Sequence, residues 1–229
     1  MHETLRSVAW ISLALSGVST LVVACDVAWL RRQPMAVMNV VWPLTALYAG
    51  PLAVLAYFTF GRAAARNAAP RHAHAAGHAE RPLWQAALLG ATHCGAGCMV
   101  GDVVVDTLLV AAGATALLGS VLLTSYVFEF VAAFVLGIAF QYFAIVPMKG
   151  LPPGRGIVAA LKADTFSLVA FQIGMYAWMA LTHAVLGGRG QDPHSPVHWL
   201  FLQCGMLVGL ATSVPANLWL VRRGIKERM

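Results

Sequence analysis

LWQAALLGATHCGAGCMVGDVVVDTLLVAA (83–112) is the stretch that decides the fold. As a helix it exceeds the ~20 residues needed to cross a bilayer. Yet it carries His93, Cys94, Cys98, Asp102 and Asp106. Such side chains are costly in hydrocarbon unless they face protein, water or an ion. At the angular step of an α-helix, Cys94, Cys98 and Asp102 fall within an arc of about 80°, with His93 on its shoulder. Gly90, Gly97 and Gly101 lie on the same face, so a neighbouring helix or a ligand has room to approach the backbone.

Two readings compete for this stretch. Thiolate with imidazole suits a soft transition metal, copper(I) first and zinc as the alternative, with His93, Cys94 and Cys98 as central ligands. Tight packing is the other: Gly97 and Gly101 form a small-xxx-small seam, and cysteine is a small residue at home in such seams. Packing alone does not call for His93 and Asp102.

Working outward, the chain has 229 residues, 59% hydrophobic and 10% charged. Soluble domains carry about 25% charged residues. With a mean hydropathy of +0.73, the chain reads as an all-α, polytopic transmembrane helix bundle of about six spans. The apolar runs predict helices near 8–30, 37–60, 83–112, 121–146, 157–183 and 197–221. The organisation expected is two N-terminal helices (1–60), a basic histidine-containing loop (61–82) and a four-helix core (83–229). The first run is long enough to stay as a span rather than act as a cleaved signal. Four cysteines at 25, 94, 98 and 204 do not read as a disulfide framework.

The net charge of +6 is unevenly placed and speaks to topology, not to a nucleic-acid partner. With six spans, Arg6, the arginines of the 61–82 loop, Lys149, Arg155 and the basic tail share one side. The positive-inside rule then puts both termini in the cytoplasm of a bacterial-type inner membrane. Arg31 and Arg32 run against this trend. Pro43 and Pro51 read as kinks in the second helix. His72, His74 and His78 in the loop are weak candidates for gathering a metal.

Glu129, on the fourth predicted helix, reaches the level of Asp102 and Asp106; the three acids are candidates for a proton or cation relay. On the fifth, Asp164, Gln172, Met175, Met179 and His183 share about 100° of arc. Met175, Met179 and His183 climb in steps of four toward the outer mouth, where thioether and imidazole suit copper(I); methionine also fills gaps between helices. Lys162 and Asp164 are expected near the interface. Met35, Met38, His194 and His198 join the same outer mouth in the six-span reading, as a Met/His funnel toward the Cys/His site.

Four segments carry a resemblance: THCGAGCMVGD (92–102), FQYFAIVPMKGL (140–151), KADTFSLVAFQIGMYAWMA (162–180) and the tail, with TSVPANLWL (212–220) and GIKERM (224–229). They are similar to the integral-membrane domain-of-unknown-function family 4396. The resemblance covers about the last two-thirds of the chain and implies a membrane fold with an HCGAGC core, but no activity.

The leading expectation is therefore a membrane protein that binds, delivers or transports a soft metal, copper before zinc. The chain shows no nucleotide-binding glycine pattern, no hydrolase elbow and no CxxCH haem text, which sets catalysis behind binding. A redox enzyme using paired thiols, and a structural subunit that docks a homodimer mate or another membrane protein through the glycine seam, are the two alternatives.

Overall fold

The computed structural model describes residues 2–33, 35–63, 82–113, 117–186 and 192–226. His72, His74 and His78 lie outside the described residues. Among those described there are helices and no strands. Helix α1 (His2–Cys25) continues through a π-type turn, Asp26–Leu30. Then come α2 (Met38–Ala49), α3 (Pro51–Ala56) with a π-type extension Tyr57–Gly61, α4 (Leu83–Ala112), α5 (Val121–Lys149), α6 (Pro153–Leu186) and α7 (Pro196–Arg222). Helices α1, α4, α5, α6 and α7 are each long and apolar enough to cross a membrane. This is an integral membrane protein, and large apolar side chains such as Leu21, Trp29, Val135, Phe143 and Ile173 cover its exposed surface.

Local chemistry sets the helix ends. The Ser120 hydroxyl accepts from the Leu123 N–H at 3.0 Å, and the Ser195 hydroxyl from the Val197 N–H at 3.3 Å. Each satisfies an amide that the first turn leaves without a partner. Pro153 and Pro196 open α6 and α7, where the missing N–H costs nothing.

Helix α4 is the centre. Over its most apolar window 56% is buried, against 22% for α1, which makes α1 peripheral. It packs against α5, α6, α7 and α2. The glycine seam is filled from within the chain. A Cβ on Gly97 would lie 2.8 Å from the Gly137 Cα, and one on Gly101 would lie 2.7 Å from the Ala133 backbone nitrogen, both on α5. Gly101→Val drives two methyls into that backbone and is expected to lower stability by about 1–3 kcal/mol, as overpacking does. Thermal unfolding in detergent micelles measures it.

The second apolar segment does not cross. At Gly50 the backbone takes φ +53° and ψ −131°, which only glycine adopts freely. There the chain turns back. Trp42 on α2 meets Tyr57 and Phe60 edge-on, with ring centroids 5.3 and 6.3 Å apart. Asp26, at the end of α1, accepts from the Tyr57 hydroxyl at 2.7 Å and forms an ion pair with Arg62. Entry and exit of the segment are therefore at one end of the bundle. Its tip lies beside Ser16, about 21 Å down α1 from Leu30 at 1.5 Å per residue. The six apolar segments are all present: five are full-length helices and the remaining one is a re-entrant hairpin.

The hairpin fixes the order of ends. Phe60 meets Trp84 at the start of α4, with ring centroids 5.5 Å apart. The Lys226 ammonium, just past α7, reaches the Gly90 carbonyl. The starts of α4 and α6 and the ends of α1, α5 and α7 thus share one end, called here the tail end. Residue 2 lies at the other end, the mouth, opposite Lys226. The structure has five long apolar helices where the sequence reading expected about six spans, and the difference falls at the turn around Gly50. Met35 and Met38 move with it. They lie at the tail end, away from His183, His194 and His198, and drop out of the expected funnel.

Candidate functional site: a polar stripe through the bundle

Along α4, Gly90, Cys94, Cys98, Asp102 and Asp106 recur every four residues. That spacing keeps them in one gently winding row. From Gly90 to Asp106 the row climbs about 24 Å, most of the ~30 Å hydrocarbon thickness. Every one of these residues is buried.

At the tail end the row meets α6, α7 and the C-terminal turn. Gly224, at φ +67°, folds the chain back so that the N–H groups of Ile225 and Lys226 donate to the Leu220 carbonyl, at 3.0 and 3.3 Å. The turn sends the Lys226 side chain, 0% exposed, into the bundle. Its ammonium donates to Asp164 Oδ1 at 3.0 Å and to the Gly90 carbonyl at 3.2 Å. Burial pulls the Lys226 ammonium toward the neutral form, but the Cys94 sulfur and the Asp164 carboxylate beside it outweigh that, and its pKa rises above the ordinary lysine value. The Cys94 thiol donates to Asp164 Oδ1 at 3.1 Å and lies 3.0 Å from the Ser167 hydroxyl. The Asn217 amide donates to the same hydroxyl. Asp164, expected near the interface, is fully buried within the protein. Lys162 is exposed.

At the mouth end, His198 Nε2 lies 2.8 Å from Asp106 Oδ2. Glu129 of α5 is buried close enough to Asp102 and Asp106 for the three carboxylates to interact. Both oxygens of Asp102 are buried with no hydrogen-bond partner among the described residues. The expected acid trio of Asp102, Asp106 and Glu129 does assemble, with His198 as an added member. Tyr176 closes one side, donating to the Tyr126 carbonyl at 2.9 Å and stacking on that ring at 4.5 Å.

Between the two ends the stripe offers sulfur. Cys98 is fully buried within the apolar core, one turn above Cys94. The hairpin brings Tyr48 here: a Cβ on Gly95 would lie 2.5 Å from its hydroxyl, so glycine admits the phenol.

The expected metal ligands are distributed differently from the sequence reading. Cys94 and Cys98 are free thiols. His93 Nδ1 bonds the Leu89 carbonyl at 2.9 Å, and its Nε2 is buried with no hydrogen-bond partner among the described residues. Cys94 faces a carboxylate and a hydroxyl rather than a second soft donor. Among the described residues, no three His, Cys, Asp or Glu side chains stand around one point as a metal would need. The set as arranged therefore does not fit a resident copper ion, which favours several sulfur or nitrogen ligands at once. Met175 is buried against α7 at Gly205, a packing role. Met179 is buried and His183 half-buried, nearer the mouth.

Sequence reasoning counted Lys226 with the basic tail and gave Ser167 and Asn217 no part in the site. All three lie within the segments that carry the family resemblance. THCGAGC supplies Cys94, KADTFS supplies Asp164 and Ser167, TSVPANLWL supplies Asn217, and GIKERM supplies Lys226. Residues 83–226 match the family described as domain of unknown function 4396. The chain belongs to that family. The match runs from the start of α4 to Lys226, so the family unit contains both ends of the stripe and excludes the hairpin. No curated protein and no solved structure matches the chain.

Proposed function

We propose that this family 4396 protein moves a transition-metal cation across the membrane along the α4 stripe, with protons as the coupled ion. One observation carries the reading: titratable and metal-competent side chains recur every fourth residue on a helix that passes through the whole bundle. Packing needs no such row, because apolar residues fill the same volume without desolvation cost. The acids with His198 at the mouth suit proton exchange. The middle of the row is sulfur, which favours a soft or borderline cation over sodium or potassium. Copper(I) and zinc are the two cargoes this chemistry selects.

The proposed orientation follows from the hairpin. Of 15 basic residues, only Arg6 and Arg189 fall in segments at the mouth end by chain position. Arg31 and Arg32 now join the majority. The positive-inside rule puts the tail end in the cytoplasm and the N-terminus outside, in a bacterial-type inner membrane.

The test is uptake of copper(I), kept reduced with ascorbate, or of zinc into proteoliposomes of protein purified without a histidine tag. Wild type is expected to take up one of these metals while the lumenal pH changes. Cys98→Ser and Asp102→Asn are each expected to slow uptake at least about tenfold, the scale of a lost metal ligand or its support. Uptake no faster than in empty liposomes removes the transport reading. Wild-type rates in both variants remove the stripe as the route.

A further inference from the structure

We infer that the groove between the end of α1 and the start of α2 holds one anionic phospholipid, with its phosphate on the Arg32 guanidinium and an acyl chain along the apolar slot below. The inference goes beyond the transport reading and does not depend on it. The groove encloses about 790 Å³, within the range of about 300–1,000 Å³ typical of small-molecule sites. Ala24, Val27 and Ala28 of α1 line one side, and Ala36 and Pro43 line the other. Most of these side chains are small, so the two helices leave a slot that larger ones would fill. From Ala24 to Arg32 the slot runs about 12 Å along α1. Trp29, Leu30 and Val40 beside it are exposed and apolar, so its surroundings are lipid rather than water.

The rim of the groove supplies one uncommitted cation. The apolar span of α1 ends at Leu30, which places Arg31 and Arg32 at headgroup level. Arg62 pairs with Asp26, and Arg31 donates to the Ala63 carbonyl at 3.4 Å. Arg32 is exposed, lines the groove and has no hydrogen-bond or ion-pair partner among the described residues. Gln33 and Asn39, also at the rim, are spent on the turn. The Gln33 N–H donates to Asn39 Oδ1 at 2.9 Å, and the Asn39 amide donates to the Ala36 carbonyl at 2.9 Å. The Gln33 amide donates to the Gly61 carbonyl. The N–H fork of Arg32 is left free, and its geometry matches two oxygens of a phosphate. Asp26 is the only acid between Glu3 and Glu80, so no other carboxylate of this segment repels that phosphate. A choline headgroup would bring a second cation to a rim that is already positive, whereas a net anionic headgroup complements it. A soluble phosphate would use Arg32 and leave the slot empty. The site belongs to the hairpin, outside the family-matched residues 83–226.

Native mass spectrometry of the full-length protein in detergent, titrated with phosphatidylglycerol or phosphatidylcholine of the same acyl chains, reads the site. Phosphatidylglycerol is expected to bind as the first adduct at least about tenfold more tightly, the scale of a hydrogen bond to a charged group. Arg32→Gln keeps a polar side chain and is expected to lose that preference. Ala28→Phe keeps the charge and fills the slot. It is expected to weaken phosphatidylglycerol about tenfold, as the loss of a few buried methylenes does. Both positions are exposed, so neither change enters the core. Arg155→Gln removes another exposed cation at the same end of the bundle and is expected to leave the preference intact. Glycerol 3-phosphate in excess is expected not to displace the lipid, because the slot holds the acyl chain. Equal binding of the two lipids overturns the inference, as does phosphatidylglycerol binding unchanged by Arg32→Gln or by Ala28→Phe. Displacement by glycerol 3-phosphate would make the groove a phosphate site and overturns the lipid. A preference lost equally in Arg155→Gln would mean diffuse attraction to the basic end and overturns the groove.

Discussion

Lys226→Met alone lowers the stability of the bundle by about 3–5 kcal/mol, and adding Asp164→Leu restores most of it. The single change leaves the Asp164 carboxylate fully buried with its cation gone. The Cys94 thiol and a nearby hydroxyl are too weak to replace an ammonium. The double change removes both charges and substitutes apolar groups of similar reach, which buried ion pairs often tolerate well or even prefer. Thermal unfolding of the wild type, both singles and the double in one detergent closes the cycle. A double variant as unstable as the worse single would mean that the pair is not coupled. The other ion pair gives an internal contrast. The Arg62 side chain is 32% exposed, so water solvates Asp26 once the guanidinium is removed. Arg62→Met should therefore cost less than Lys226→Met.

The contrast between the two pairs also marks how far the sequence is legible. Helix α4 matches its expected bounds, Leu83–Ala112, and α5 and α7 end within a few residues of theirs, because an apolar run between polar breaks is a local signal. Helix α6 starts four residues early, at Pro153, since a stretch read as turn punctuation also opens a helix when proline takes its first position. The acid trio was visible because Asp102, Asp106 and Glu129 are rare residues in apolar text. The Lys226–Asp164 pair was not. Its partners are 62 residues apart, and in the sequence reading each alone is explained by the interface. The hairpin was hidden for a different reason. The run from 37 to 60 has the length and hydropathy of a span, and Gly50-Pro51 reads as a kink whichever way the chain leaves it. The one signal was Arg31 and Arg32, two cations on the wrong side of a six-span topology. That conflict disappears when the segment folds back.

The proposed orientation, with the N-terminus outside and the tail end inside, gives the second large effect, and it is all-or-none. Arg6 is exposed near the start of α1, and Arg32 is exposed just past its end. In intact cells a membrane-impermeant maleimide is expected to label Arg6→Cys and to leave Arg32→Cys unlabelled until the cells are opened. Under a six-span arrangement the two results exchange. The physical ground is the Asp26 cluster. If the 37–60 segment crossed the bilayer, Asp26 and Arg62 would sit on opposite faces, about 30 Å apart. Instead the Arg62 guanidinium and the Tyr57 hydroxyl both reach Asp26, and Gln33 donates to the Gly61 carbonyl at 3.1 Å. These bonds tie the two ends of the hairpin to the end of one helix. A crossing would break all of them and leave the Asp26 carboxylate without its cation. Gly50→Val adds a β-branched side chain where φ is +53°, a conformation costing such a residue about 1–3 kcal/mol. It thereby biases the segment toward a straight helix. If the hairpin sets the topology, Arg32→Cys in that background gains external labelling; if labelling is unchanged, the charge bias at the tail end holds the chain in place by itself.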